Sequence, residues 1–190
     1  PLLSIEVVEQ TSNHLMKMLE EKKLDLAIAR FTDQSQQQHY DFQPLAPEPF
    51  CIVVNDRHPL AAAGPLSLQQ LVDLPWILYP VGTPIRGRME LAFAEAGVGM
   101  PRNTVDTISM QTFLQVLQRG PMVGMLPNAM VNPLLESGQL KILDTPLHLV
   151  PQDYGILTRK GEHLVGAALE FAEILPECAA LCRDETGRTE

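Results

Sequence analysis

Apolar residues in this chain recur with two alternating periods, and the order they predict is strand, helix, strand, repeated along its length. The clearest instance is residues 106–127. Ser109 is a good N-cap for a helix over 110–118. Phe113, Val116 and Leu117 fall at i, i+3 and i+4 and make one apolar face. Gly120 is placed to end the helix in the left-handed conformation. Residues 122–126 are apolar but too few for another helix, so they predict a strand, stopped by Pro127. A strand-helix-strand unit predicts a parallel sheet. Ligands of such sheets bind outside the carboxyl ends of the strands, where helix N-termini point. Ser109 and the Leu126–Pro127 corner fall on that edge.

The rest of the chain reads the same way. Residues 2–8 are strand-like, and Thr11 or Ser12 then caps a helix to about Lys22, with Leu15, Met18 and Leu19 as its inward stripe. Residues 24–29 predict a strand, with Arg30 just past its carboxyl end. The glutamine-rich stretch 32–41 reads as loop. Ser67 caps a short helix through Leu71, and 76–79 predict a strand. Thr83 at N-cap with Pro84 behind it is a strong helix start, and Gly97 ends that helix. Residues 102–107 and 139–143 predict strands, and the helix between them after Pro127 is expected to break near Pro133. The longest helical pattern is 163–183, kinked at Pro176, with Leu164, Ala168, Phe171, Leu175, Cys178 and Cys182 on one face. A frayed tail from 184 to 190 follows.

Two stretches break the rhythm. Pro44, Pro47 and Pro49 interrupt 42–54, and Pro151 interrupts 147–158. Prolines at that density exclude a central ladder strand throughout, so each stretch is expected to pass from one sheet to another. The prediction is an α/β chain of two lobes. The first is built from 1–46 plus 148–183, the second from 47–147, and a hinge of two strands joins them around a cleft.

Composition narrows the function. Hydrophobic residues make up 45% of the chain, which is enough for a folded core. The net charge of -9 and the absence of any basic block make these residues a poor match for nucleic acid. No signal peptide or apolar run of membrane-spanning length occurs in the sequence. Three cysteines, an odd count, argue against a disulfide framework and for a reducing compartment. Cys178 and Cys182 read as buried small hydrophobes.

No catalytic set is legible. The chain lacks GxSxG, a phosphate-binding glycine loop and HExxH, and His14, His39, His58, His148 and His163 are scattered. No metal ligands, cofactor or enzymatic role are expected. What remains is a ring of helix starts: Thr11–Ser12, Thr83–Pro84 and Ser109–Met110. Each follows a strand and offers a hydroxyl, free backbone N–H groups and a partial positive charge. Arg30 and Arg86 add full charge nearby. Such a set suits a small anionic or polyhydroxylated ligand. Each hydroxyl equally serves as a plain helix cap, and the arginines can be paired with Glu90 or Asp106.

Four stretches carry a family resemblance: KKLDLAIAR (22–30), PLAPEPFCIVVNDRHPLA (44–61), LSLQQLVDLPWILYP (66–80) and VLQRGPMVGMLP (116–127). In this order and spacing the chain resembles the effector-binding domain of LysR-type transcriptional regulators, within the branch that contains the galactose-binding-protein regulators. The resemblance implies two Rossmann-like lobes of the type II periplasmic-binding-protein kind, joined by two crossover strands. It implies a small effector in the interlobe cleft, a dimer or tetramer, and a cytoplasmic protein that reaches promoter DNA only through a winged helix-turn-helix outside residues 1–190. It implies effector contacts from Thr11, Ser12 and Arg30 in the first lobe and from Gly82, Thr83, Ser109, Met125 and Pro127 in the second. Pro1 corresponds to the start of the second strand of the first lobe. That lobe is therefore expected to lack its first strand and helix and to be less stable for it. The same architecture also serves solute receptors of transport systems. The free cysteines and the missing signal peptide weigh against that alternative.

Overall fold

A computed structural model describes residues 4–147 and 149–186, with side chains as far as residue 180 apart from residue 34. In chain order its elements are α1 (Ser12–Glu20), β1 (Ala27–Ala29), a 3-10 turn (Gln34–Gln38), β2 (Tyr40–Glu48), β3 (Phe50–Asn55), α2 (Leu68–Leu71) and β4 (Trp76–Leu78). Then come α3 (Pro84–Glu95), β5 (Thr104–Asp106), α4 (Met110–Arg119), β6 (Val123–Pro127), α5 (Asn128–Glu136), β7 (Leu140–Ile142), β8 (Gln152–Arg159) and α6 (Ala167–Thr186). They divide into two compact units, Pro1–Pro47 with Gln152–Glu190, and Glu48–Pro151. The boundaries fall beside Pro47, Pro49 and Pro151. There β2 leaves a three-stranded sheet and β3 enters a five-stranded one.

The first unit is built on the order β1-β8-β2. β1 runs antiparallel to β8, with Ala27 opposite Leu157 and Ala29 opposite Gly155. Alternation along β8 sends Leu157 to one face and Ile156 to the other. Leu157 packs with Met16 and Leu19 of α1 and with Tyr40, and Ile156 packs with Leu45 and with Ala172 and Ala179 of α6. α1 ends in a tight reversal in which Lys22, at φ 58, takes the left-handed place usually given to glycine. Lys23 N donates to Met18 O and Lys22 N to Leu19 O. From β8, Arg159 Nη1 donates to Leu19 O at 3.0 Å and Leu24 O at 2.8 Å, tying the end of α1 to the segment that leads into β1.

The second unit has the order β5-β4-β6-β3-β7. β4 is parallel to both β5 and β6, and β3 is antiparallel to β6 and β7. One face packs Trp76 and Leu78 against Met89 and Phe93 of α3. Trp76 and Phe93 meet edge to face at 6.0 Å, and the indole N–H donates to Leu71 O at 2.8 Å. The other face packs Ile77 and Leu126 against Phe113 and Leu117 of α4. The parallel pairing expected from 102–127 is present, with β4 lying between the two strands that α4 connects.

Several expectations are corrected. No strand forms over 4–8, because a strand needs a partner ladder and none is available to this segment among the described residues; Ile5 and Val7 stay exposed. Residues 2 and 3 lie outside the described residues. β1 pairs antiparallel with β8, so the strand-helix-strand reading of 2–29 gives no parallel pair. α1 buries Met16, not Met18, together with Leu19. The glutamine-rich stretch is partly helical: Asp33 Oδ1 accepts from Ser35 N at 2.7 Å and Gln36 Oε1 accepts from Asp33 N at 3.2 Å, a reciprocal cap at the start of the turn. α5 runs through Pro133 without breaking. Gly120 is extended, at φ -118 and ψ 166, not left-handed. The constraint there is space: a Cβ would meet Val116 O at 3.2 Å, and Asn55 Nδ2 donates to Gly120 O at 2.6 Å. Among the described side chains of α6 the buried ones are Ala172 and Ala179, while Cys178 is exposed. The Cys182 side chain and residues 187–190 of the expected tail lie outside the described residues; the backbone of 184–186 is helical.

Candidate functional site

In the second unit β5, β4 and β6 are consecutive and parallel, so their carboxyl ends share one edge of the sheet. A helix starts just past each: α4 after β5, α3 after β4 and α5 after β6. This is the placement expected of a ligand edge in a parallel sheet. Four of the sequence-predicted residues lie at it: Gly82, Thr83, Ser109 and Pro127. Gly82 turns the chain out of β4 at φ 85, which only glycine adopts without strain. Thr83 is buried at the N-cap of α3, but its hydroxyl caps nothing. Thr83 Oγ1 donates to Pro80 O at 2.8 Å. Ser109 does cap α4, accepting from Thr112 N at 3.3 Å. Thr107 holds it in place, its Oγ1 accepting from Ser109 N at 3.0 Å. Met125 is different. Its side chain is 3% exposed in the core beside Trp76, so only its backbone is near the strand end.

Arg86 does not stand open on this edge. It is buried, with Nε donating to Glu90 Oε1 at 2.8 Å and Nη1 to Tyr79 O at 3.3 Å, and Nη1 lies 3.6 Å from Asp106 Oδ1. The guanidinium thus ties the ends of β4 and β5 together through the first turn of α3, and two carboxylates balance its charge.

In the first unit Ser12 and Arg30 come together: Arg30 N donates to Ser12 Oγ at 3.4 Å. The Arg30 guanidinium lies 5.6 Å from the centre of the Tyr154 ring. Thr11 is the extended N-cap of α1 and makes no side-chain cap bond. Beside them Asn13 Oδ1 accepts from Thr32 Oγ1 and, at 3.2 Å, from Gln36 Nε2, while Gln152 Nε2 donates to Phe31 O at 3.1 Å. The pairing of Arg86 with Glu90 and Asp106 is one the sequence offered, whereas this amide network and the role of Thr107 were not read from it. A Thr two residues before a helix cap is a local signal for Thr107; the amide network depends on contacts far apart in the chain.

Two titratable groups of the second unit are shifted by burial. Burial pushes the Cys51 thiol up to about 12. Burial also pushes His58 below the ordinary 6.5, against the opposing pull of the Pro121 carbonyl. Among the described residues, no group of three His, Cys, Asp or Glu side chains could hold a metal ion, and no helix is long and apolar enough to cross a membrane.

The family model for the LysR substrate binding domain matches residues 1–179. The chain belongs to that family. It is 31% identical over 165 residues to the HTH-type transcriptional regulator GbpR of Azospirillum brasilense, covering 86% of this chain and 48% of that protein. It is 34% identical over 110 residues to GbpR of Rhizobium radiobacter, covering 58% of this chain and 36% of that protein. The chain therefore spans about half or less of these relatives. In fold it is similar to the effector-binding domain of QuiR in complex with shikimate, at TM-score 0.71 and 18% identity, covering 90% of this chain and 79% of that one. The regulatory domain of Synechocystis PCC6803 CcmR in complex with 2-PG is similar at TM-score 0.69 and 17% identity, covering 89% and 80%. The fold class is the type II periplasmic-binding-protein-like α/β architecture.

Proposed function

We propose that these residues are the ligand-sensing regulatory domain of a LysR-type transcriptional regulator. A small polar effector, anionic or sugar-like, binds more tightly to one conformation of the domain than to another. That differential affinity is the energy available for signalling. The change is passed to a DNA-binding domain of the same protein outside residues 1–190. The reading includes self-association as a dimer or tetramer, a cytoplasmic location and no catalysis. A transport receptor would share the architecture, but membership of the LysR family favours the regulator.

The observation that carries this reading is the edge where α3, α4 and α5 all begin, in a chain of this family. Three sets of open N–H groups and two hydroxyls suit a small oxygen-rich ligand. The shikimate bound by the QuiR domain, a hydroxylated carboxylate, supports the same ligand class. Ser12, Thr11 and Arg30 are proposed as contacts from the first unit, and Gly82, Thr83, Ser109, Pro127 and the Met125 backbone from the second.

Isothermal titration of the chain with a panel of anionic metabolites and sugars tests this. A true effector gives saturable binding, and Ser12→Ala and Ser109→Ala each weaken the same ligand by about tenfold, the size of one lost hydrogen bond. Binding by no candidate, or binding indifferent to both substitutions, removes the support.

A further inference from the structure

Resting on the reading of the β5-β4-β6 edge as an effector contact, we infer that the effector brings a hydrogen-bond donor to Thr83. That makes it a hydroxyl-bearing molecule, not a bare anion. The observation is the fixed hydrogen-bond polarity of the Thr83 hydroxyl. A hydroxyl has one proton to give and two lone pairs to accept with. The Thr83 proton is committed, because Pro80 O can only accept, and the bond is 2.8 Å. Nothing donates to Thr83 Oγ1 among the described residues, since α3 starts without a side-chain cap bond. Towards a ligand, Thr83 is therefore an acceptor only. Ser109 is not committed in that way: its Oγ accepts from Thr112 N at 3.3 Å and lies 3.1 Å from Thr112 Oγ1, and either hydroxyl can give the proton of that contact, so Ser109 can meet a donor or an acceptor.

A carboxylate, phosphate or sulfate accepts and cannot donate. It would serve Ser109 and the helix N–H groups but would set oxygen against oxygen at Thr83. An ammonium would donate to Thr83 but would meet the partial positive charge of the helix starts. A hydroxyl satisfies Thr83 without a positive charge, and so does a hydroxy acid that turns its carboxylate to the helix N–H groups and its hydroxyl to Thr83. Charge points the same way. Arg86, the full positive charge that the sequence placed at this edge, is held by Glu90 at 2.8 Å and Asp106 at 3.6 Å. A bare dianion here would approach two carboxylates with no uncommitted counter-charge from that arginine.

The test is calorimetric titration of the chain with matched pairs: succinate against tartrate, adipate against galactarate, and inorganic sulfate against myo-inositol. The hydroxylated member of a pair should bind at least about tenfold tighter, the effect of leaving one buried acceptor unpaired. Thr83→Val should bring that ratio close to one, and Thr83→Ser should keep it. Thermal melts of both variants show that each is folded. Equal or tighter binding of succinate, adipate or sulfate overturns the inference and leaves the sensor reading standing. So does a Thr83→Val variant that keeps the ratio. Absence of binding by every compound here and by the wider panel overturns the sensor reading itself, and the inference with it.

Discussion

His58 sits as a neutral imidazole inside the turn that follows β3. It is 6% exposed, and its Nδ1 accepts from Leu60 N at 3.1 Å. Exposed Arg57 and Arg119 line the same hollow and would add repulsion to a charged ring. Burial lowers its pKa from 6.5, so the unfolded chain takes up this proton first. Stability is therefore expected to fall as pH drops through 6.5 towards the lower folded value. Melting temperature measured between about pH 7.5 and about pH 5.5 should decline. His58→Asn, whose carbonyl keeps an acceptor for Leu60 N, should flatten that decline; an unchanged slope assigns it to another group. The carboxylates held low by hydrogen bonds and cations, Glu21, Asp33, Asp41 and Glu162, act in a separate window below 4.5. Residue types were easy to read from the sequence and their states were not. Cys51 behaves as a hydrophobe with its thiol at about 12, but Cys178, assigned to a buried stripe by its spacing, faces solvent. Helical spacing names two or three adjacent stripes, and the partner surface decides which is buried.

Helix starts were the most legible elements, because a cap is local chemistry: Ser67, Thr83 and Ser109 each precede a helix as expected. Helix ends and close approaches were harder. Gly120, Gly124 and Gly155 look alike in a sequence. At Gly124 of β6 a Cβ would lie 2.8 Å from Phe113 Cε1, a side chain that can shift. At Gly155 of β8 the nearest obstacle is the backbone oxygen of Gln43 in β2, with the Phe42 ring beside it. Gly124→Ala should cost about 1–3 kcal/mol through overpacking. Gly155→Ala should cost more, because two strands must part to make room. Urea denaturation followed by circular dichroism orders the two; a milder Gly155→Ala would mean that the β2–β8 approach relaxes easily. Nothing near Gly155 in the sequence signals β2, so this constraint could be read only from the fold.

At the scale of the molecule, the second unit is one unbroken stretch with cores on both faces of its sheet, while the first is assembled from two stretches. Residues 48–151 expressed alone should therefore fold. The expected result is a single cooperative thermal transition with blue-shifted emission from Trp76, the one tryptophan and fully buried. A broad melt with solvent-like emission would show that this stretch needs the first unit. The sequence pointed to proline-marked passages between two sheets, and it carried the edge with Gly82, Thr83 and Ser109. It could not reveal that β1 pairs with β8, or that Arg159 closes the end of α1. Both join residues from opposite ends of the chain, and no local pattern encodes such a partner.

β8 is the middle strand of its sheet and follows β1 to β7 in the chain. During synthesis, β1 and β2 leave the ribosome with the place between them vacant. The stretch 48–151 can settle first. β1 and β2 must wait, their apolar faces open to chaperones, until the chain returns to fill the gap.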